Sequence, residues 1–304
     1  MQARSFVTES SLDCPVCQGK LFDLKFQAVD HFLSGETFPV VECRDCKMLL
    51  TGDLPAPDRL PLYYDSSDYI SHSNTSSGLV NRMYHTARSL MLRHKFQIIS
   101  KNLGIKSGSL LDIGAGTGHF LNYMQAKGWK ITGVEPGANA RSFAHQTWGI
   151  PLLETEHLFS LPHGSFDAIT LWHVLEHLPD PNSYLKAAAQ LLKPEGKLFI
   201  AIPNPGSWDA NWYGPYWAAW DLPRHLAHYH PTHLAQLVQK HDFIVDKLLP
   251  MPLDPFYISM LSEKYRKAKL RLIRGVVAGT IGWIAGIRNR DKASSIIYIC
   301  SKIP

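Results

Sequence analysis

The stretch Leu110-Leu111-Asp112-Ile113-Gly114-Ala115-Gly116-Thr117-Gly118 decides the fold of this 304-residue chain. Two apolar residues lead to an acid, and three glycines at alternate positions follow before the helical run His119-Phe120-Leu121. Such a strand-to-helix turn lets a ligand approach backbone that a side chain would block. It also directs the amide hydrogens of a helix N-terminus at a negative group. The spacing D-x-G-x-G-x-G differs from the G-x-G-x-x-G of dinucleotide-binding turns, which disfavours a nicotinamide-dependent enzyme.

Strand-like and helix-like segments alternate from Ser109 to the end of the chain, and this alternation favours an α/β sheet with helices on both faces. Gly128 and Gly196 stand where helix C-caps are expected before strands. The sequence therefore predicts a Rossmann-like, seven-stranded, mostly parallel sheet. Its seven strands are Leu110–Ile113, Lys130–Glu135, Pro151–Leu153, Ala168–Trp172, Lys197–Ile202, Ile244–Leu249 and Ser295–Cys300.

Four of the five cysteines form two C-x-x-C pairs, Cys14/Cys17 and Cys43/Cys46, separated by 25 residues. Two such pairs can close on one tetrahedral ion, and four thiolates leave no open position for catalysis. Disulfides or free thiols are the alternative, which a cytosolic setting disfavours. We expect a structural zinc in a small zinc-ribbon-like module.

The composition and the motifs together divide the chain into three parts. Residues 1–55 form the zinc-ribbon-like module, and residues 56–104 form a proline-marked linker and a helical lid with a helix from Leu79 to Leu103. Residues 105–304 form the main domain, with a basic and apolar helical insert at 263–292.

The charge of the chain is concentrated in the insert. Residues 263–292 carry nine basic side chains against two acidic ones, although the whole chain has a net charge of only +5. Residues 1–55 hold five basic and eight acidic side chains, so nucleic acid is not an expected partner. The N-terminus leads into no apolar signal-like run, and a cytoplasmic location is expected. The sequence leaves the oligomeric state open.

The glycine-rich turn, with two later segments, resembles the class I S-adenosylmethionine-dependent methyltransferases. The later segments are Trp172-His173-Val174-Leu175-Glu176-His177 at the fourth strand and Leu191-Leu192-Lys193-Pro194-Glu195-Gly196 before the fifth. Their order and spacing over residues 109–250 resemble the branch that contains ubiquinone-biosynthesis O-methyltransferases and small-molecule or sugar methyltransferases. Methyltransferases that act on protein or nucleic acid often carry an N/D-P-P-Y/F segment at the fourth strand. This sequence has Trp172-His173-Val174-Leu175 there instead.

The resemblance implies S-adenosylmethionine as cofactor and assigns residues to it. The acid and glycines of the turn would line its methionine end, and Glu135, 23 residues after Asp112, would hold the ribose. Glu154 or Glu156 would meet the adenine, while Trp172 and His173 would border the sulfonium and the acceptor. The implied cofactor residues are Asp112, Gly114, Gly116, Gly118, Glu135, Glu154, Trp172 and His173.

Two histidine groups are candidates for the general base that an oxygen or nitrogen acceptor requires. In the first, His173, Glu176 and His177 share one helix face and could also hold a divalent ion, although an acid often replaces His173 in the ubiquinone-type relatives. The alternative is that Glu176 and His177 only tie the helix start to backbone.

The second group, Pro223-Arg224-His225-Leu226-Ala227-His228-Tyr229, is similar to a P-R-H-L-x-H-F segment of many relatives. We predict His225 as the base and Arg224 as an anion anchor. The alternative is that Arg224 pairs with Asp221 and His225 caps a turn.

Aromatic residues supply the candidate acceptor contacts. Six of them crowd the loop at 208–220, after the fifth strand, where ligands bind in this fold. Three tyrosines lie in the segment at 63–72, which resembles a lid of some relatives. Buried structural tyrosines are the alternative. The expected substrate residues are Tyr64, Tyr69, Trp217 and Trp220.

The insert contains 13 uncharged residues, Gly275–Ile287, between basic flanks. This run is too short to span a bilayer. Residues 264–290 suit either an interfacial helix at the inner face of a membrane or packing on the core or a second subunit. Taken together, the cofactor motifs, the aromatic loop and the basic insert favour methyl transfer to a small-molecule, saccharide or lipid-linked acceptor. The alternative function is a non-catalytic scaffold on the same fold that uses the zinc module for partner contacts.

Overall fold

The structure is a computed structural model that describes residues 13–56, 59–64 and 79–303. Within these ranges the chain forms ten strands and eight α-helices. The strands are β1 Phe22–Val29, β2 Thr37–Cys43, β3 Leu49–Thr51, β4 Ser109–Ile113, β5 Lys130–Val134, β6 Phe166–Trp172, β7 Leu192–Pro203, β8 Ala227–His228, β9 Phe243–Pro250 and β10 Ser295–Lys302. The helices are α1 Leu79–Leu103, α2 His119–Ala126, α3 Ala138–Trp148, α4 Pro181–Leu191, α5 Trp208–Tyr213, α6 Pro231–Gln239, α7 Asp254–Tyr265 and α8 Arg271–Arg288.

The main sheet has the order β5-β4-β6-β7-β10-β9. The first four strands are parallel to one another, whereas β10 runs antiparallel to both β7 and β9. Both faces are apolar: Leu111 and Ile169 pack in one buried cluster, and Leu110 and Ala168 in the other. Burial on two faces explains the nearly continuous apolar runs of these strands.

One predicted strand is not formed, so the described sheet has six strands and the expectation of seven was wrong. Residues 151–153 make only a single parallel bridge between Val134 and Leu153. The physical reason lies at both ends of this segment. Pro151 has no amide hydrogen to donate, and the chain turns into a 3₁₀ helix at Thr155–Ser160 before further pairs can form.

The N-terminal strands form a second, antiparallel sheet in the order β1-β2-β3-β8. Its last strand comes from the main domain, with Leu49 opposite His228 and Leu50 opposite Ala227. Strand β8 begins two residues after His225, so this sheet is joined directly to the predicted catalytic loop.

The insert is a helical hairpin of α7 and α8 between β9 and β10. Small residues let the two helices approach closely: a Cβ added to Gly279 would lie 2.7 Å from the Phe256 Cα. No helix in the described part of the chain meets the length and hydropathy needed to cross a membrane.

Candidate functional site

The glycine-rich turn connects β4 to α2 through three residues with positive φ. Gly114, Gly116 and Gly118 have φ of 73°, 53° and 75°, a region that favours glycine. A Cβ on Gly114 would collide with Val174, whereas a Cβ on Gly116 would meet no described atom within 4 Å. The turn therefore packs against Val174 at Gly114 and leaves open space at Gly116, where a ligand could approach the backbone. We call residues Gly114–Gly118 the glycine cradle.

Two acids, buried Asp112 and half-buried Glu135, lie next to the turn at the ends of neighbouring strands. Asp112 is 3% exposed and accepts a hydrogen bond from Thr170 Oγ1 at 2.5 Å. Burial raises the pKa of Asp112 to about 7. Glu135 accepts hydrogen bonds from the Gly116 and Gly137 amides at 2.8 and 2.9 Å, and burial raises the pKa of its carboxyl as well. Glu135 thus contacts the turn directly, and Asp112 lies buried in the strand that leads into it.

Glu154 is tied to the same end of the sheet. Arg141 Nη2 donates to Glu154 Oε1 at 2.6 Å, and Arg141 Nη1 donates to the Glu135 carbonyl oxygen at 3.0 Å. The structure therefore brings Glu154 beside the end of β5, where the adenine side of a cofactor would be expected.

Trp172 and His173 lie at the carboxyl end of β6. The Trp172 ring packs edge-on against Phe120, and Lys95 Nζ lies 4.4 Å from its ring centroid. His173 Nε2 is 3.3 Å from Asp254 Oδ2 and its Nδ1 is 3.5 Å from Glu176 Oε1. Burial lowers the pKa of His173, but the contacts with Asp254 and Glu176 outweigh it and raise the pKa to about 10. These contacts favour the protonated form of His173, which makes it poorly suited as a general base.

His177 and His225 form a second pair, with ring centroids 4.6 Å apart. His225 Nδ1 is 2.9 Å from the Ala219 carbonyl oxygen, and His177 Nδ1 is 3.0 Å from the Arg224 carbonyl oxygen. Burial lowers the pKa of His177 to about 4. One ligand atom from each of Glu176, His177 and His225 lies within 4.8 Å of the others, so these three could hold a cation. The predicted group was His173, Glu176 and His177. In the structure His225 takes the place of His173, whose Nε2 contacts Asp254 instead.

Arg224 is only 1% exposed and lies between two carboxylates. Its Nη2 donates to Asp30 Oδ1 at 2.8 Å and to Asp221 Oδ1 at 2.7 Å, and its Nη1 donates to the Tyr63 carbonyl oxygen at 3.1 Å. The alternative role of Arg224, pairing with Asp221, is therefore present. The guanidinium is buried and donates to protein groups, so it is not accessible to an anionic acceptor.

Arg224→Met is expected to destabilise the protein by about 3–5 kcal/mol, because Asp30, whose side chain is 0% exposed, would lose its charge partner. Urea unfolding measures this loss. The double variant Asp30→Asn/Arg224→Met should be less destabilised than the sum of the two single variants. Unchanged stability of Arg224→Met with lost acceptor affinity would instead favour the anchor role.

The predicted acceptor residues fall in different places. Trp217 and Trp220 are 2% and 5% exposed, and their indole N–H groups donate to Asp209 and to the Gly214 carbonyl oxygen. They pack the interior against the N-terminal sheet and form no open acceptor surface. The Tyr64 hydroxyl lies 3.3 Å from His177 Nδ1, inside the candidate site. Tyr69 lies outside the described residues.

The four cysteines of the N-terminal module come together. The Sγ atoms of Cys14 and Cys46 are 3.5 Å apart, as are those of Cys17 and Cys43, and all four lie within 4.8 Å of one another. A tetrahedral zinc with bonds of about 2.3 Å requires sulfur separations of about 3.8 Å. Disulfides require about 2.0 Å, and none of the five cysteines is in one. The donor set therefore fits a zinc ion.

Sequence reasoning missed three residues that shape the site: Lys95, Asp254 and Asp30. Each is far along the chain from its partner; Asp30 and Arg224 are 194 residues apart. Each of the three is a single charged residue outside any motif, so the sequence did not distinguish them from ordinary surface charges.

Comparison with known proteins places this geometry in a family. A family model described as a methyltransferase domain matches residues 84–248. A ubiquinone biosynthesis O-methyltransferase of Xanthomonas oryzae is 28% identical over 176 residues, which cover 53% of this chain and 73% of that protein. A ubiquinone biosynthesis O-methyltransferase of Nitrosococcus oceani is 29% identical over 188 residues, which cover 58% of this chain and 78% of that protein.

A solved structure shares the fold. It is that of a candidate sarcosine dimethylglycine methyltransferase from Galdieria sulphuraria, with a TM-score of 0.50 and 16% identity over 73% of this chain and 88% of that chain. The family match covers more than half of the sequence and contains the glycine cradle and both flanking acids. The chain therefore belongs to the methyltransferase-domain family and is an S-adenosylmethionine-dependent methyltransferase.

Proposed function

We propose that this protein methylates a hydroxyl oxygen of a small-molecule, saccharide or lipid-linked acceptor, with His225 as general base. The observation that carries the proposal is the contact of His225 Nδ1 with the Ala219 carbonyl oxygen at 2.9 Å. Because a carbonyl oxygen only accepts, Nδ1 is the protonated nitrogen in this contact, and in the neutral ring Nε2 is then the nitrogen with a free lone pair. The relatives are named as O-methyltransferases, which supports oxygen as the target.

The neighbouring histidines are less suited to this role. His173 is held as a cation by Asp254 and Glu176, with its pKa raised to about 10. The pKa of His177 is lowered to about 4 through burial, so it is a weak base near neutral pH. His225 remains as the ring that can take a proton from the acceptor.

When bound, S-adenosylmethionine would supply an activated methyl group for transfer to the acceptor oxygen. His225 Nε2 would take the proton of the acceptor hydroxyl. Tyr64 would orient the acceptor through its position beside His177. The protein thus contributes alignment and one proton acceptor.

The cofactor would be held by the residues of the cradle. Asp112 and the glycine backbone would line the methionine end, Glu135 would accept both ribose hydroxyls, and Glu154 would face the adenine. Trp172 would border the sulfonium with Lys95 beside it. The buried Asp112, the contact of Glu135 with the Gly116 amide and the open space beside Gly116 support this assignment.

Cofactor affinity is expected to rise with pH, because the cationic sulfonium favours an ionised Asp112. With a pKa of about 7, the ionised fraction of this carboxyl rises about eightfold between pH 6 and pH 7.5. Calorimetry with S-adenosylmethionine at the two pH values would show a corresponding fall in Kd. The Asp112→Asn variant should bind weakly at both; an unchanged pH dependence in that variant would exclude Asp112 as the cause.

The cysteine cluster supports a structural zinc in residues 1–55. The proposed division of the chain continues with the linker and lid at 56–104 and the methyltransferase domain at 105–304. Cysteine binds zinc as the thiolate, and four thiolates at this spacing need a cation to neutralise them. We expect a cytoplasmic protein with no nucleic-acid partner.

Incubation of the protein with methyl-labelled S-adenosylmethionine and extracts of the source cells tests the function. Label should enter an acceptor in the aqueous or the organic extract, as an ether stable to mild base. A protein that binds S-adenosylmethionine but labels neither extract would contradict the proposal and favour a scaffold. Label released by mild base would assign a carboxyl acceptor instead.

A further inference from the structure

Helix α8 has one face made of small residues, and this face packs on α7. Gly275, Ala278, Gly279, Gly282 and Gly286 are buried. A Cβ added to Gly275 would lie 2.7 Å from Met260 Cγ, which shows how close the two helices are. The contact of Glu263 in α7 with Arg274 Nε at 3.0 Å fixes their alignment. The hairpin is therefore a closely packed pair of helices.

The rest of α8 is apolar and exposed. Between Arg274 and Arg288 its sequence contains no charged residue, and Thr280 is the one polar side chain. A surface helix of a soluble protein carries polar residues on its outer face, and α8 does not. The exposed side chains, each between 40% and 65% accessible among the described residues, include Leu272, Ile273, Val276, Val277, Ile284 and Ile287.

Both ends of this apolar face carry exposed cations. Lys264, Lys267, Lys269 and Arg271 lie at the α7–α8 turn and the start of α8, and Arg288 and Arg290 lie at its end. Eighteen helical residues span about 27 Å, so a helix lying flat would present cations to lipid headgroups at both ends. Interfacial helices combine these same features.

We propose that the α7–α8 hairpin is a membrane-binding element, and that α8 lies in the headgroup region of an anionic lipid surface. The cations at both ends of α8 favour an anionic lipid surface over a second copy of the chain as the partner of this face. Because both ends of α8 are cationic, pairing of two α8 helices in either direction brings like charges together. An anionic surface neutralises both ends while it covers the apolar face.

The hairpin is connected to the candidate site at its first residue. Asp254 begins α7 and lies 3.3 Å from His173 Nε2. A bound hairpin would therefore hold the site near the lipid surface, within reach of an amphiphilic acceptor. Membrane binding itself does not rest on the proposed acceptor and can be tested without one.

Co-sedimentation of the full chain with vesicles tests the inference. We expect at least tenfold more binding to phosphatidylcholine vesicles with about 30% phosphatidylglycerol than to phosphatidylcholine alone, and weaker binding at high salt. Ile273→Asp/Ile284→Asp should lose at least tenfold in binding. Ile244→Asp, which changes an equally exposed residue on β9, should bind as the unmodified chain does.

A second variant guards against loss of folding. Lys267→Glu/Arg271→Glu changes exposed charges, and it should lose the preference for the anionic vesicles while its thermal midpoint stays the same. Equal binding to both vesicles, or full binding by Ile273→Asp/Ile284→Asp, would overturn the proposal. Absence of vesicle binding together with a dimer that Ile273→Asp/Ile284→Asp dissociates in ultracentrifugation would instead assign the face to a second copy.

Discussion

Cys17→Ser/Cys46→Ser is expected to abolish zinc binding and to unfold the N-terminal module. Structural zinc contributes about 10–16 kcal/mol of binding free energy, which is available to folding only while all four ligands are present. The core of this module is small, so little else would replace that free energy. The consequence should also extend beyond the module. Strand β3 pairs with β8, and Thr51 Oγ1 donates to the His225 carbonyl oxygen at 2.5 Å.

Three measurements check this expectation. Mass spectrometry of metals should give one zinc per unmodified chain and about a tenth or less in the double variant. Hydrogen exchange should show lost protection in β1, β2 and β3, and also in β8. Cys300→Ala, which changes the buried thiol of β10 outside the cluster, should keep its zinc. An unmodified chain that is folded and free of zinc would contradict the assignment.

Local patterns were sufficient to predict the frame of the molecule. The three glycines of the turn need positive φ, and alternating apolar segments need a two-sided sheet, so both are encoded within a few residues. The same is true of the cysteine pairs, whose spacing fits one tetrahedral ion. Six of the seven predicted strands are present at nearly the predicted positions. The missing strand depended on a single proline and on where the chain turns next.

Contacts between distant residues could not be predicted in this way. The roles of Arg224 and His173 depend on Asp30 and Asp254, which approach them only after the two sheets and the hairpin have packed. Composition likewise showed that the loop at 208–220 is aromatic but not which rings are buried. Trp217 became part of the interior, while Trp212 is 53% exposed. Tertiary packing, which no short window contains, decided both cases.

His225→Asn is expected to lower kcat about 10²–10⁴-fold, the range that a positioned general base contributes. Asparagine can still donate an N–H to the Ala219 carbonyl oxygen, as His225 Nδ1 does, but it offers no basic nitrogen in place of Nε2. The change therefore removes the base and retains the local hydrogen bond. His225→Ala should lose similar activity and, in addition, some stability.

The readout separates catalysis from binding. Turnover is measured with the cell extract that accepts label, and the Kd for S-adenosylmethionine is measured by calorimetry on the same samples. The cradle at Gly114–Gly118 does not include His225, so the Kd of the Asn variant should stay within about twofold. His177→Asn serves as the rival, because its ring is 4.6 Å from that of His225 and its Nδ1 also contacts a carbonyl oxygen.

The comparison of the two variants assigns the base. If His225 takes the proton, His177→Asn should lose much less activity than His225→Asn, because a ring with a pKa near 4 is protonated poorly in the transition state. The reverse ranking of the two variants would move the base to His177, and equal small losses would mean that the acceptor reaches the methyl group already ionised.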